Sequence, residues 1–355
     1  MARVRDERDR RDREEGRAWL ALQFAGALHP RECADALRAG TSPAELLAML
    51  PRHQWPSARL LDRADAQLAQ LGAVLLPWGS RDYPPPLADL SDAPPVLAVR
   101  GDPAALADTA VAIVGSRAAS AYGLEVARRV AGELAAAGVV VVSGLAFGID
   151  AAAHEAALAT GGRTVAVQAC GLDRVYPASH RALADRIALS GAVVTEFAIG
   201  VAPQRAFFPL RNRLISGLAR ALVVVEARAR SGSLVTARHA ADQGVDVFAV
   251  PGPITVANHV GSNRLLWDGA WPLLDTSDVL SVLAWPAAPR RARARLALSG
   301  AAREILAALR DAPASGDELA RRLGAVPSEQ APPLLELELA GAIARDRDGR
   351  FRALL

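Results

Sequence analysis

A series of short apolar runs, most of them rich in Val, lies between Val96 and Val250 and alternates with longer Ala-rich segments of helical spacing. The runs are Val96 to Val99, Val111 to Val114, Val139 to Val142, Thr164 to Gln168, Ala192 to Thr195, Leu222 to Val225 and Val245 to Val250. Few architectures accept this pattern. A strand with one wet face alternates apolar and polar residues, whereas a continuous apolar strand must be covered on both faces. Parallel strands need crossovers of a dozen or more residues, and the Ala-rich segments can supply them as helices. The sequence therefore predicts a doubly wound α/β domain with a mainly parallel sheet over residues 77–284.

The flanks read differently. Residues Arg3 to Arg17 alternate Arg with Asp and Glu, as a solvated helix or charged tail does, and no function is assigned to the tail, 1–16. From Trp19 the spacing is helical, with Trp19, Leu20, Leu22 and Phe24 before His29-Pro30, then Cys33 and Leu37 up to a cap at Gly40. Thr41-Ser42-Pro43-Ala44-Glu45 is a helix start, because a Ser cap, Pro in the first turn and a following Glu satisfy or spare the orphan amides there. Leu60, Leu61, Leu68 and Leu71 mark another helix ending at Gly72, so residues 17–76 are expected to form a small helical domain. Tyr83-Pro84-Pro85-Pro86 and Pro94-Pro95 break the pattern. After the α/β region an Arg-, Ala- and Pro-rich stretch reads as a linker over 285–298. Residues 299–355 then hold helical segments at Ala301 to Leu309, Ser315 to Leu323 and Ser328 to Leu339, followed by a ribbon around Asp348-Gly349, which suits a tight hairpin turn. This describes a winged-helix-like domain.

Composition narrows the function classes. No run of roughly 18 apolar residues lacks charges or turn formers, and Met1 to Asp6 leads into charge, not into an apolar leader. A cytoplasmic protein without membrane insertion is expected. Cys33 and Cys170 are far apart with no Cys/His set beside them, so no disulfide framework and no metal site are expected. Lys is absent and all 41 such basic residues are Arg. The accompanying excess of Ala points to a GC-rich genome as the cause, so the Arg bias carries no argument about binding. With a net charge of only +3, a nucleic-acid partner would need a local basic footprint.

In open α/β sheets ligands sit where strands end and helices begin. After the run ending at Val114 comes Gly115-Ser116-Arg117, in which Gly115 permits a sharp turn, Ser116 can cap the next helix and Arg117 adds charge beside an anion. The three glycines of a dinucleotide fingerprint are missing there. Ser143-Gly144-Leu145-Ala146-Phe147-Gly148-Ile149-Asp150 follows the next run; Asp150 is placed to cap the helix that carries His154, and this structural role outweighs an acid/base or metal pair. Arg205-Ala206-Phe207-Phe208-Pro209-Leu210-Arg211-Asn212-Arg213 interleaves aromatics with cations, which is what single-stranded nucleic acid requires, although a helix with both Phe residues in the core is the plain alternative. Finally, Ser231-Gly232-Ser233 precedes a helix whose amides would point at an anion.

Taken in order, Ala112-Ile113-Val114-Gly115-Ser116-Arg117, Val142-Ser143-Gly144-Leu145-Ala146, Cys170-Gly171-Leu172-Asp173 with Tyr176-Pro177, Phe208-Pro209 with Arg211-Asn212-Arg213, Glu226-Ala227, Ser231-Gly232-Ser233 and Ala249-Val250-Pro251-Gly252 resemble the DprA/Smf family. The flanks are similar to that family's sterile-alpha-motif-like and winged-helix-like extras. The resemblance implies a Rossmann-like domain that binds single-stranded DNA, dimerises, and helps load RecA in natural transformation, with no catalysis and no cofactor. It also implies a DNA pocket of Gly115, Ser116, Arg117, Phe208, Arg211, Asn212 and Arg213. Ser143, Gly144, Ser231, Gly232 and Ser233 are candidates from their loops, and Arg205 is a further basic candidate. No contact is assigned to Phe147. Two other readings are a nucleotide phosphoribohydrolase, whose Pro-Gly-Gly-x-Gly-Thr loop is absent beside Glu226, and a DNA-site regulator acting through the winged helix. Glu329, Glu336 and Glu338 make that last helix unsuited to phosphates.

Overall fold

The computed structural model describes residues 14–25, 30–285, 299–326, 329–339, 342–346 and 348–353. Most of the charged tail, the linker from 286 onward and Ser328 lie outside these residues. The chain divides into two compact units, Met1–Pro286 and Ala287–Leu355.

The first unit is built on a sheet of nine strands: β1 (Ala73–Pro77), β2 (Val96–Gly101), β3 (Ala110–Val114), β4 (Val140–Ser143), β5 (Thr164–Val167), β6 (Ala192–Thr195), β7 (Ala221–Val224), β8 (Asp246–Ala249) and β9 (Trp271–Pro272), in the spatial order β1-β2-β6-β5-β4-β3-β7-β8-β9. From β6 to β9 every pairing is parallel. β2 runs antiparallel to β6, and β1 antiparallel to β2. Side-chain alternation explains why the strands read as continuously apolar. Along β3, Ala110, Ala112 and Val114 enter the core beneath the helices Phe207–Gly217 and Gly232–Asp242. Val111 and Ile113 enter the opposite core, beneath Ala121–Ala136 and Ile149–Ala159. Each face is dry, so each residue is apolar.

The helical region before β1 departs from expectation. Its elements are as predicted: Ser42 and Glu45 form a capping box on Pro43–Ala48, and Gly40 and Gly72 sit at helix ends with positive φ. It does not have a core of its own, however. Trp19, Leu20, Leu46, Leu61 and Leu68 share one buried cluster with Val96, Ala98, Ala166, Val193 and Ile187, so these helices cover the antiparallel end of the sheet. Ala73–Pro77, placed largely in the helical domain from sequence, is the edge strand that joins the two.

The second unit has the expected helices, Gly300–Asp311, Gly316–Leu323 and Ala331–Leu339, and the strands β10 (Ile343–Arg345) and β11 (Phe351–Ala353) paired antiparallel. Gly349, at φ 82°, makes the turn that closes the ribbon.

Topology locates the functional edge of the first unit. The chain moves from β3 through β4 and β5 to β6 in one direction, and from β7 through β8 to β9 in the other. The direction reverses between β3 and β7, and the crevice outside their carboxyl ends is where such sheets bind ligands.

Candidate nucleic-acid interface

A cleft of about 470 Å³ opens at this reversal. Its walls come from the loop after β3 (Gly115, Ser116, Arg117), the loop after β7 (Arg228, Arg230, Ser231) and the helix start that follows it (Gly232, Ser233), Ala146 from the loop after β4 with Asp150 from the first turn of the next helix, and one face of the helix Phe207–Gly217. That helix contributes Pro209 together with Phe208, Arg211, Asn212 and Ile215, the last four being the i, i+3, i+4 and i+7 positions that share one side of a helix.

Arg213 is on another side. Two residues from Arg211 it projects about 200° away, and its guanidinium binds Glu196 through both nitrogens (2.7 and 3.0 Å) and Asp92 at 3.0 Å. It is 3% exposed. Burial disfavours its charge, yet Glu196 and Asp92 more than offset this and hold its pKa above the ordinary value. Arg213 therefore ties the helix to the end of β6 and to the segment before β2, and it does not line the cleft. Three other candidates also lie off the wall. Arg205 is exposed in the turn before the helix. Ser143 is buried and donates its hydroxyl to the Ile113 carbonyl at 2.6 Å. Gly144 lies beneath the wall, where a Cβ would come within 2.7 Å of the Arg211 guanidinium.

Arg211 forms the floor. Its Nη1 donates to the carbonyl oxygens of Gly144 (2.7 Å) and Val167. Burial brings its pKa down to about 10, with Arg117 adding to the fall and Asp150 opposing it, so it is a cation at neutral pH. Asp150 does not cap its helix; Gly148, at φ 75°, is the capping residue. The Asp150 carboxylate instead accepts from the Gly144 and Ala146 amides at 3.2 and 3.3 Å and so closes the loop after β4. Burial pushes its pKa up, against the pull of Arg211, the two amides and Arg117. His154 is engaged elsewhere, its Nδ1 lying 2.6 Å from the Thr164 hydroxyl, so Asp150 and His154 are not a catalytic pair.

The loop after β3 also differs from expectation in its cap. Ser116 turns back to accept from the Ala118 amide at 3.2 Å, and Ser120 caps the helix, accepting from Gly123 at 3.0 Å. Glu226, fully buried at the end of β7, fixes that cap by accepting from the Ser120 amide (3.0 Å) and hydroxyl, and it also accepts from Asn258 at 3.2 Å. Its carboxylate is thus committed to joining loops and is not presented to a sugar or base.

Above the Arg211 floor the cleft is polar and cationic. Ser231 caps the helix that begins at Gly232, accepting from the Ser233 amide, and Asn212 donates to the Gly232 carbonyl at 3.3 Å. Arg117 and Arg230 are exposed and form no ion pair among the described residues. Phe208 is half-buried, neither a core residue nor a free one. Its ring meets Tyr176 edge to face at 5.4 Å and carries the Arg117 guanidinium 5.0 Å from its centroid. Arg228 and Arg230 were not among the candidates chosen from sequence, although they stand between Glu226-Ala227 and Ser231-Gly232-Ser233; their position between a strand end and a capping Ser was the available signal.

The sequence model of the family described as DNA recombination-mediator protein A matches residues 74–284, and that of the DprA winged helix domain matches residues 288–349. The chain belongs to this DprA/Smf family. Protein Smf of Escherichia coli K12 is 42% identical over 296 residues, 80% of this chain and 79% of that protein. Among solved structures, DprA of Streptococcus pneumoniae is 33% identical with a TM-score of 0.62, over 74% of this chain and 95% of that one. DprA of Helicobacter pylori, described for its single-stranded DNA binding mode, is 30% identical with a TM-score of 0.55, over 60% of this chain and 95% of that one. The family's winged helix accounts for the second unit. There Glu336 accepts from the Ser299 amide and hydroxyl at 2.8 and 2.7 Å and so holds the residue that caps Gly300–Asp311, which gives an acidic residue of the last helix a structural role.

Proposed function

We propose that the chain binds single-stranded DNA in the cleft between β3 and β7, and that it acts as a DNA-processing protein of recombination and natural transformation without catalysing a reaction itself. The observation that carries this reading is Arg117, without an ion pair among the described residues and laid on the half-buried Phe208 ring above the buried Arg211, beside the capped start of the helix at Gly232. A phosphate finds a helix N-terminus and guanidinium groups, and a base finds an aromatic face. The stated property of the Helicobacter pylori relative supports it. The engagement of Glu226 and Asp150 with protein donors speaks against the phosphoribohydrolase alternative.

Three finer parts of the reading are that the protein works in the cytoplasm, that it presents the strand to a RecA-type recombinase, and that it does so as a homodimer. Among the described residues no helix is long and apolar enough to cross a membrane. The homodimer reading draws on the sheet edge at β9, where Trp267, Leu274 and Ile254 are 81%, 78% and 87% exposed, since an edge strand flanked by large apolar groups invites pairing. Sedimentation tests it: Trp267→Glu should be monomeric at concentrations where the parent chain is dimeric, and an equally dimeric variant would move the interface elsewhere.

The main test is binding of labelled single-stranded and blunt duplex oligonucleotides across a salt series. The single strand should bind more tightly, and Arg117→Ala should both weaken binding and flatten the plot of log affinity against log salt by about 0.7. Equal affinity for duplex would overturn the proposal.

A further inference from the structure

Phe147 and Tyr176 lie outside the cleft wall, yet they are 49% and 47% exposed beside its residues Ala146 and Phe208. Each ring has an aromatic partner. Phe147 meets the His180 ring edge to face with centroids 4.8 Å apart, and His180 Nδ1 donates to the Leu145 carbonyl at 2.9 Å. Tyr176 meets Phe208, which carries the Arg117 guanidinium. The supporting loops abut as well. Ile149 donates its amide to the Ser116 carbonyl at 3.2 Å, and a Cβ on Gly148 would lie 2.9 Å from the Arg117 carbonyl oxygen. Phe147 therefore stands beside the loop that carries Arg117, and Tyr176 beside the ring on which its guanidinium rests.

An aromatic rim thus continues from Arg117 over the carboxyl ends of β4 and β5. Arg181, the residue after His180, is exposed and without an ion pair among the described residues. A half-exposed ring already held by an aromatic partner needs little further ordering to stack a ligand. Exposed rings next to Arg117, with Arg181 adjoining the His180 that Phe147 packs on, match a chain that alternates flat apolar bases with anions.

We propose that Phe147 and Tyr176 form a second base-stacking subsite, which takes the nucleobases next along the single strand from the nucleotide held in the cleft. This rests on the single-strand reading of the cleft. The subsite would read no sequence, because every base has a π-face.

The test compares oligodeoxythymidylate with an oligomer of the same length in which every base is replaced by an abasic residue, so that the phosphates are kept and the stacking is lost. Phe147→Ala and Tyr176→Ala should each weaken binding to oligodeoxythymidylate by about 5- to 150-fold with an unchanged salt slope. Both should bind the abasic oligomer as the parent chain does, and Tyr176→Phe should retain full affinity for either. Arg117→Ala should weaken binding to both oligomers. Because the two rings stand on different loops, a folding defect in one variant leaves the other to decide. If both alanine variants bind oligodeoxythymidylate normally while Arg117→Ala binds it weakly, the subsite is overturned and the cleft stands. If Arg117→Ala also binds normally, the cleft reading falls, and the subsite with it.

Discussion

Arg117 and Arg211 are both guanidinium groups lining one cleft, yet burial gives them different work. Arg117 is exposed and touches only the Phe208 ring among the contacts described above, so its removal should change binding and leave stability nearly unaltered. Arg211 is 4% exposed and satisfies the Gly144 and Val167 carbonyls. Arg211→Ala leaves those carbonyls without a donor and removes one of the groups that favour the buried Asp150 carboxylate, at a cost on the order of 3 kcal/mol. In a unit of this size that amounts to roughly 5 °C of melting temperature. A calorimetric comparison in which Arg117→Ala melts lower than Arg211→Ala would refute this division of roles. His154 sets a pH limit at the same scale. It is buried, and burial first, then the charges of His180 and Arg211, hold its pKa at about 3. The unfolded chain takes up that proton near the ordinary value of about 6.5. The folded pKa is thus the lower one, so the stability is fully present above about pH 6.5 and declines as pH falls toward 3, by about 1.4 kcal/mol per pH unit within that window. His154→Gln should show a shallower acid loss than the parent chain between pH 6.5 and 4.5; parallel curves would exclude His154 as the source.

Elements are joined at the cleft by polar groups buried between them. Glu226 follows β7 and caps nothing in its own segment; it receives donors from Ser120, at the start of the helix Ala121–Ala136, and from Asn258, in the short turn Ala257–His259 of the connection after β8. Asn258 in turn donates to the Ala118 carbonyl at 3.1 Å and accepts from Arg228 at 2.8 Å. One carboxylate therefore holds three strand-end loops in register, including those that carry Arg117 and Arg228. Glu226→Gln would turn an amide nitrogen toward donors that need an acceptor, which costs about 1–3 kcal/mol. The expected result is a lower melting temperature together with weaker single-strand binding. Unchanged affinity in a destabilised Glu226→Gln chain would show that the loops keep their positions without it. The helix Phe207–Gly217 illustrates the same principle in its packing. Its cleft face and its Arg213 face serve different neighbours, and a rotation of the helix would break the Asp92 and Glu196 pairing.

At the scale of the whole molecule, the proposed DNA site is contained in Met1–Pro286, and the winged helix has its own core around Ile305, Leu309, Leu319 and Leu337. Trp285, read from sequence as the start of the linker, belongs to the first unit through a hydrogen bond from its Nε1 to the Ala137 carbonyl at 3.0 Å. A chain ending after residue 290 should therefore stay folded and keep its affinity for single strands to within a few-fold, as measured by anisotropy; complete loss of binding would place the site in the second unit. What the sequence by itself determined was local or repetitive. Val-rich runs separated by helical segments dictated a parallel sheet dry on both faces, Ser42 and Glu45 announced a helix start, and the strand-end loops marked the functional edge. Tertiary structure alone decided which side chains those loops spend on protein and which they offer to a ligand. Arg213 was indistinguishable from Arg211 as a basic residue in a promising motif, and its partner Asp92 lies 121 positions away. Helical spacing from Phe208 would have excluded it from the cleft face, but nothing local could reveal that Asp92 and Glu196 were waiting on the other side. Likewise Ala73–Pro77 became a strand because β2 offered it an edge, and Glu226 and Asp150 became struts because folding brought unpaired amides to them. Burial and pairing are set by residues distant in the chain, so they appear only when the chain is folded.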